Sequence, residues 1–177
     1  MMTVANYYPE LPEVLYEKVS VPEQDVIDFI CELQFSAEVK RTTFAVAYNE
    51  TAGFTALVNT NAAGVQGDNG RWGRTWDGFI TATTVKKENM TGNARRFLVF
   101  DKWQTSIKML ATKMDSRGIY MGGDATVFAN INSIKTGADL YTAYYRGWVL
   151  GNVNAVPRPP DIAGFGLLYN KAKEIFS

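Results

Sequence analysis

The sequence predicts a mainly α-helical (α+β) domain that carries one small β-hairpin. Three observations lead there. Apolar residues recur at helical spacing in several separate segments, a single pair of short β-prone runs interrupts them, and no linker or repeat divides the chain. At 177 residues the chain has the length of one domain with a proper core. Residues 1–19, rich in Tyr and Pro, read as an irregular N-terminal arm, and 20–177 as one domain.

The elements follow in order. SVPEQDVIDFICELQF opens with Ser20, has Pro22 in its first turn and Glu23 three residues after the serine, which is a capping-box start. Val26, Ile27, Ile30, Cys31 and Leu33 then form an apolar stripe, so a helix is expected over about 21–36, with Cys31 in the core. A second helix is expected over about 38–51, ending at Gly53. NTNAAGVQGDNGRWGRTWDGF, with its glycines, Asn and Asp, is a run of turns. FITATTVKK and RRFLVF flank the turn-like NMTGN and read as a hairpin. Asp101 starts a helix whose Trp103, Ile107, Leu110 and Met114 share a core face. GADLYTAYYRGWVLGNV predicts another helix, with Leu140, Tyr144, Trp148 and Val149 on one side. Pro157, Pro159 and Pro160 break the chain before a last helix over about 161–176, with Leu167, Leu168, Ala172 and Ile175 facing inward.

Composition narrows the chemistry. Eighteen basic and eighteen acidic residues cancel, so no overall charge points to nucleic acid or a membrane surface. There is no histidine and only one cysteine. Ser-His-Asp and Cys-His nucleophile systems need an imidazole, and the usual zinc sites need His and Cys ligands. Acid–base work without a cofactor or metal therefore falls to carboxylates, Tyr or Lys. The N-terminus has neither a basic start nor a long apolar run, so a soluble chain made in the cytoplasm without a signal peptide is expected, and no membrane insertion.

Two stretches carry candidate site residues. AVAYNETAGF runs a small, apolar helix into Glu50 just before a helix-ending glycine. The negative end of the helix dipole disfavours a charge there, and apolar neighbours such as Tyr48 and Phe54 disfavour the ionised carboxylate further. GDNGRWGRTW spaces Gly67, Gly70 and Gly73 evenly, but it lacks the Gly-Lys-Ser/Thr ending of a phosphate loop. It reads instead as turns that display Trp72 and Trp76, either to stack on sugar rings or to anchor packing.

In this order the motifs resemble the glucosaminidase family of peptidoglycan hydrolases, within the lysozyme-like superfamily. The matching pieces are the helix ending in Glu (AYNETAGF), an Asn-rich loop of the form NNxxGI(K/Q) (NTNAAGVQGD), a hairpin with an acidic residue (TTVKKENMTG), and RRFLVFDKWQTSIKML, where Phe97, Phe100, Asp101 and Ser106 fit the family's spacing. The resemblance covers about residues 40–120. It implies a lysozyme-like helical domain with the hairpin over a cleft, acting on the β-1,4 bonds of peptidoglycan glycan strands. Glu50 would be the general acid, and Glu88 would position water or stabilise the oxocarbenium ion. Tyr48, Asn61, Gln66, Asp68, Trp72, Trp76, Tyr144 and Trp148 would contact substrate, and Asp68 competes for the role of second carboxylate. After Tyr120 the chain departs from the family's Gly-Tyr-Ala-Thr-Asp-Pro segment. The nearest equivalent is RGWVLGN, which puts Trp148 where the family has a tyrosine.

The same features suit a phage lysin, a virion-associated hydrolase or an effector delivered by a secretion machine, acting at the cell wall. Two rivals stand beside hydrolysis. A lytic transglycosylase would use Glu50 alone, and a virion structural or assembly protein would keep the fold without activity.

Overall fold

The β-prone runs on either side of NMTGN form the strands that organise the first half of the chain. The structure, a computed structural model, describes residues 4–87, 92–120 and 128–177. In chain order the elements are β1 (Glu13–Val14), β2 (Lys18–Val19), α1 (Glu23–Glu32), α2 (Ala37–Glu50), β3 (Leu57–Val58), β4 (Ile80–Lys87), β5 (Ala94–Phe100), α3 (Trp103–Arg117), β6 (Ile119–Tyr120), β7 (Phe128–Ala129), α4 (Gly137–Tyr144) and α5 (Pro159–Ile175). Two short 3-10 turns (Arg74–Phe79 and Ile131–Ser133) and a π-helical turn (Tyr145–Val149) complete them. Packing groups the chain into two compact units. The first contains Met1–Glu23 and Ala47–Met109, the second Gln24–Val46 and Leu110–Ser177.

In the first unit, β4 and β5 pair antiparallel and β1 adds to β4 in parallel, giving the order β1-β4-β5. Val65–Gly67 runs along the open edge of β5. Leu98 N–H donates to Val65 O (3.0 Å) and Gly67 N–H to Arg96 O (2.9 Å). That edge is therefore paired rather than left as a template for another strand. Arg96 is only 7% exposed, and a cation so buried must be neutralised. Its Nη1 donates to Glu13 Oε2 (2.6 Å) and to Thr83 Oγ1 (2.9 Å), and its Nε to Ala5 O (3.2 Å). Two of these partners belong to the N-terminal arm. β2 pairs antiparallel with β3, and Asn59 N–H donates to Glu17 O (2.8 Å).

These contacts correct the fold expectation. The chain is α+β, with a three-stranded mixed sheet and two further strand pairs among the described residues. It is not a mainly α, lysozyme-like helical domain with one hairpin. The physical reason is the length of the extra strands. Each of β1, β2, β3, β6 and β7 has two residues, which is one period of strand alternation and leaves no pattern to read.

In the second unit, α1 stops at Glu32, and Ser36 Oγ accepts from Val39 N–H (3.3 Å) at the start of α2. Val26, Ile30 and Leu33 are buried at i, i+4 and i+7. Cys31, one residue around the helix from Ile30, is exposed, which corrects its expected place in the core. Five successive residues of α2 in this unit, Thr42 to Val46, are buried. Arg41 Nε donates to Phe176 O (2.7 Å), and the Phe44 and Phe176 rings meet at 5.6 Å. The buried stripe of α5 is Phe165, Tyr169 and Ala172, whereas Leu167 is 75% exposed. After Tyr144 the π turn adds a residue to the helical period, so Val149 rotates outward and Trp148 stays half-buried.

The packing of α4 on α5 rests on two glycines. A Cβ on Gly137 would stand 2.4 Å from the Gly166 Cα, a backbone atom that cannot step aside. Gly137→Ala is expected to lower unfolding free energy by about 1–3 kcal/mol, the usual range for overpacking, as read by urea titration. An unchanged midpoint would show that the two backbones separate freely.

A capping box starts α4. Thr136 Oγ1 accepts from Asp139 N–H (3.1 Å), and Asp139 Oδ2 accepts from Thr136 N–H (2.8 Å). The Thr136 hydroxyl, followed by the backbone N–H groups of Lys135 and Thr136, holds the Asp139 carboxyl below its ordinary value of 3.8. A lowered folded value means stability that is complete above 3.8 and is lost as pH falls through the folded value. Because Asp139 is solvent-exposed, the slope is small. Asp139→Asn should flatten this part of the acid-unfolding curve and leave the neutral-to-alkaline part parallel to the parent.

Candidate functional site

Glu50 is the last residue of α2 and is half-buried. Just beyond it, the Thr51 N–H still reaches Ala47 O (3.2 Å), and the Thr51 side chain adds two bonds at the helix end. Thr51 Oγ1 donates to Ala47 O (2.6 Å) and accepts from Phe54 N–H (3.0 Å). Gly53 N–H then donates to Tyr48 O (2.8 Å). Three successive residues adopt left-handed backbone, with φ of 49° at Ala52, 72° at Gly53 and 63° at Phe54. Glycine does this freely, but each side-chain-bearing residue costs about 1–2 kcal/mol. Burial of Phe54 offsets its share. Its ring meets the Tyr48 ring edge-on at 5.4 Å, and its carbonyl accepts from Val21 N–H (2.9 Å). Backbone strain of this kind, held in place by surrounding contacts, collects at functional sites.

The loop after β3 is built around Asn61. Its side chain is 1% exposed. Nδ2 donates to Val65 O (2.9 Å) and Leu98 O (2.9 Å), while Oδ1 accepts from Ala63 N–H (3.2 Å) and Val65 N–H (3.1 Å). Ala62 N–H donates to Ser106 Oγ (2.9 Å), and Ser106 Oγ donates to Trp103 O (2.7 Å). Thr60 and Phe100 exchange two further bonds, of 2.6 and 2.9 Å. The loop is thus fixed to β5 and to the first turn of α3. Gly64, at φ 63°, lies inside the turn that Asn61 closes. A Cβ there would stand 2.9 Å from Glu50 Oε2, so the Glu50 carboxylate rests against the bare face of this glycine.

Beyond the turn, Arg95 gathers the polar residues. Its Nε pairs with Asp68 Oδ2 (2.7 Å), and its Nη2 donates to Gln66 Oε1 and to Asn69 Oδ1 (3.1 Å). The Asp68 side chain is 9% exposed, and its charge is balanced by Arg95. Trp72 is half-buried. Its indole N–H donates to Gln66 O (2.8 Å) and its backbone N–H to Tyr8 Oη (2.8 Å). The Arg71 guanidinium lies 4.5 Å above the Tyr8 ring and pairs with Glu10 (2.5 Å). Burial, first of all, pushes the Tyr8 hydroxyl above its ordinary value. Trp76 sits in the 3-10 turn with its ring 6.1 Å from Phe79.

The first unit thus holds Tyr48, Glu50, Asn61, Gln66, Asp68, Trp72 and Trp76. Asn61, Gln66 and Asp68 each have side-chain bonds inside the protein. Tyr144 and Trp148 belong to the second unit, where the buried Tyr144 stacks on Phe165 at 5.4 Å and 21°. Glu88 lies outside the described residues. Among the described residues no group of three or more His, Cys, Asp or Glu side chains is placed to hold a metal ion. The reading of the sequence missed Tyr8, Gly64, Arg95 and Arg96. Adjacent arginines on a strand point to opposite faces, so the pair in RRFLVF carried a signal that one of them is buried and needs an acid.

Compared with known proteins, the chain matches no protein-family model, no curated protein and no solved structure.

Asn61→Ala would leave two buried carbonyls and two N–H groups without their side-chain partners. It should cost about 3 kcal/mol, measured by denaturant unfolding. A loss under about 0.5 kcal/mol, the scatter of neutral surface changes, would show that the turn holds itself without the amide.

Proposed function

We propose that the protein cleaves β-1,4 glycosidic bonds of peptidoglycan glycan strands, with Glu50 as the general acid. The observation that carries this reading is the seat of Glu50. A half-buried carboxyl closes a helix, faces a glycine surface, and is followed by three left-handed residues. A carboxyl held there can serve as the group that donates a proton to the glycosidic oxygen. The order of short motifs resembling glucosaminidases supplies the substrate class, and the bond on the reducing side of N-acetylglucosamine is its implied target.

In this scheme Glu50 donates its proton to the leaving oxygen as the C–O bond breaks. Glu88, which directly follows β4, stabilises the oxocarbenium ion or positions the attacking water. Tyr48 and Trp72 provide aromatic surface for sugar rings, and the Arg95 cluster holds the loop that carries Trp72. Asp68 is the reserve carboxylate should Glu88 prove to be a substrate contact. No metal or cofactor takes part. The protein would act at the cell wall, as a lysin, a virion component or a delivered effector. No helix among the described residues is long and apolar enough to cross a membrane.

Glu50→Gln keeps the size of the side chain but cannot donate a proton. It should clear purified cell walls about 10²–10⁴-fold more slowly while its circular dichroism stays that of the parent. A folded variant that clears walls at the parental rate removes Glu50 from the chemistry. Mass spectrometry of the fragments separates the rivals. Reducing ends mean hydrolysis, anhydro ends mean a transglycosylase using Glu50 alone, and no fragments mean a structural role. Activity should also be indifferent to EDTA, and a loss restored by one defined metal would reveal a carboxylate metal site.

A further inference from the structure

We propose that Gly64 is a positioning residue, whose missing side chain forms the seat that sets the placement of the Glu50 carboxylate. This rests on the reading of Glu50 as the acid, but its geometry stands apart from that reading. Two observations meet at this residue. Its φ of 63° is one that glycine adopts freely, and its Cβ position is occupied by the end of Glu50, 2.9 Å to Oε2 and 3.7 Å to Cδ. Among the unit's other described left-handed glycines, Gly70 and Gly92 would meet nothing within 4 Å, and Gly53 would meet the Tyr48 ring at 3.2 Å, so only at Gly64 is the facing group a carboxylate.

The atom in the way at Gly64 is the far end of a flexible side chain. A methyl group there therefore displaces the carboxylate rather than the backbone. The opposing wall cannot retreat, because Asn61 fixes the turn on both sides of Gly64 through Ala63, Val65 and Leu98. A general acid has to lie within hydrogen-bond reach of the glycosidic oxygen, and a shift of about 1 Å is enough to cost about 10²-fold in rate. The glycine of NAAG thus acts through Glu50 and need not touch substrate.

The test combines Gly64→Ala with a double-mutant cycle against Glu50→Ala and with carboxyl-carbon NMR of Glu50. Three results are expected. The Glu50 carboxyl resonance and its titration move in Gly64→Ala and stay at the parental position in Gly92→Ala. The destabilisation caused by Gly64→Ala shrinks in the Glu50→Ala background, where no carboxylate opposes the methyl. Wall clearing loses about 10²-fold in kcat with KM little changed.

An unmoved Glu50 resonance in a folded Gly64→Ala protein overturns the proposal. So does a destabilisation equal in both backgrounds, which would assign the whole effect to backbone strain. If Gly64→Ala folds only when Glu50 is replaced, the contact is demonstrated. If it folds in neither background, the glycine serves the backbone and the proposal falls. A parent protein that releases no glycan fragments, together with a moved resonance, would keep the seat and discard the hydrolase.

Discussion

The arrangement around Glu50 depends on one buried amide. Asn61 has a donor pair and an acceptor, and each is matched inside the protein: two carbonyls on one side, two N–H groups on the other. In a region closed to water an unmatched backbone group is costly, so the turn from residue 61 to 65 has one low-energy shape. Leu98 makes this local shape a tertiary constraint. Its carbonyl receives the Asn61 amide while its N–H pairs with Val65 O, which ties the turn to the middle of β5. Gly64 is presented to Glu50 as a consequence. No other side chain of this size carries both a donor pair and an acceptor in so short a reach, so an aspartate or leucine could not replace it.

Charge follows a comparable logic in the first unit. Arg95 and Arg96 are neighbours on β5, and strand geometry sends them to opposite faces. One is paired with Asp68 beside Gln66, the other with Glu13 from the N-terminal arm. The arm is thereby part of the sheet, since removing Glu13 would leave a cation that is 7% exposed without its acid. Arg71 repeats the pattern at the surface, stacked on Tyr8 and paired with Glu10. Glu10 and Glu13 of the arm therefore answer arginines that lie far along the chain, at separations of 61 and 83 residues.

That distance explains what the sequence could and could not disclose. α2 was legible to within one residue at each end, because its small apolar run and the glycine after it are local signals. β4 and β5 were legible for the same reason. The parallel addition of β1 was not, since two residues show no alternation and Glu13 of β1 finds its partner in Arg96, more than eighty positions away. Cys31 was misjudged because a stripe of apolar residues spans more of a helix than its neighbours cover. Val26, Ile30 and Leu33 fill the buried face, and the thiol lies beside it. In α5 the true stripe runs through aromatic residues, while Leu167 supplied a stronger hydropathy signal than its exposed position warranted. At the candidate site, the place of Glu50 at the end of α2 was legible from the glycine that follows it. The internal use of Asn61 was not, because whether an amide faces solvent or its own backbone depends on the fold around it.

The end of α2 shows how the rest of the unit acts on the candidate acid. Stopping a helix needs one left-handed residue, and Gly53 provides it. Ala52 and Phe54 adopt the same conformation without that excuse, so the cause lies in where the chain has to go next. Within eight residues of Glu50 it must enter β3, whose Leu57 and Val58 pair with Val19 and Lys18. On the way, Phe54 O meets Val21 N–H and the Phe54 ring meets Tyr48. These contacts reward a sharp reversal directly after the helix. A looser exit would carry Phe54 into solvent, and burying such a side chain is worth about 1.5–3 kcal/mol, comparable with the strain it offsets. The reversal in turn brings the following loop back so that Gly64 meets the carboxyl of Glu50. The helix end and the glycine seat are therefore one construction, in which the strain of the reversal and the fixed turn of Asn61 set the two sides of a single carboxyl group.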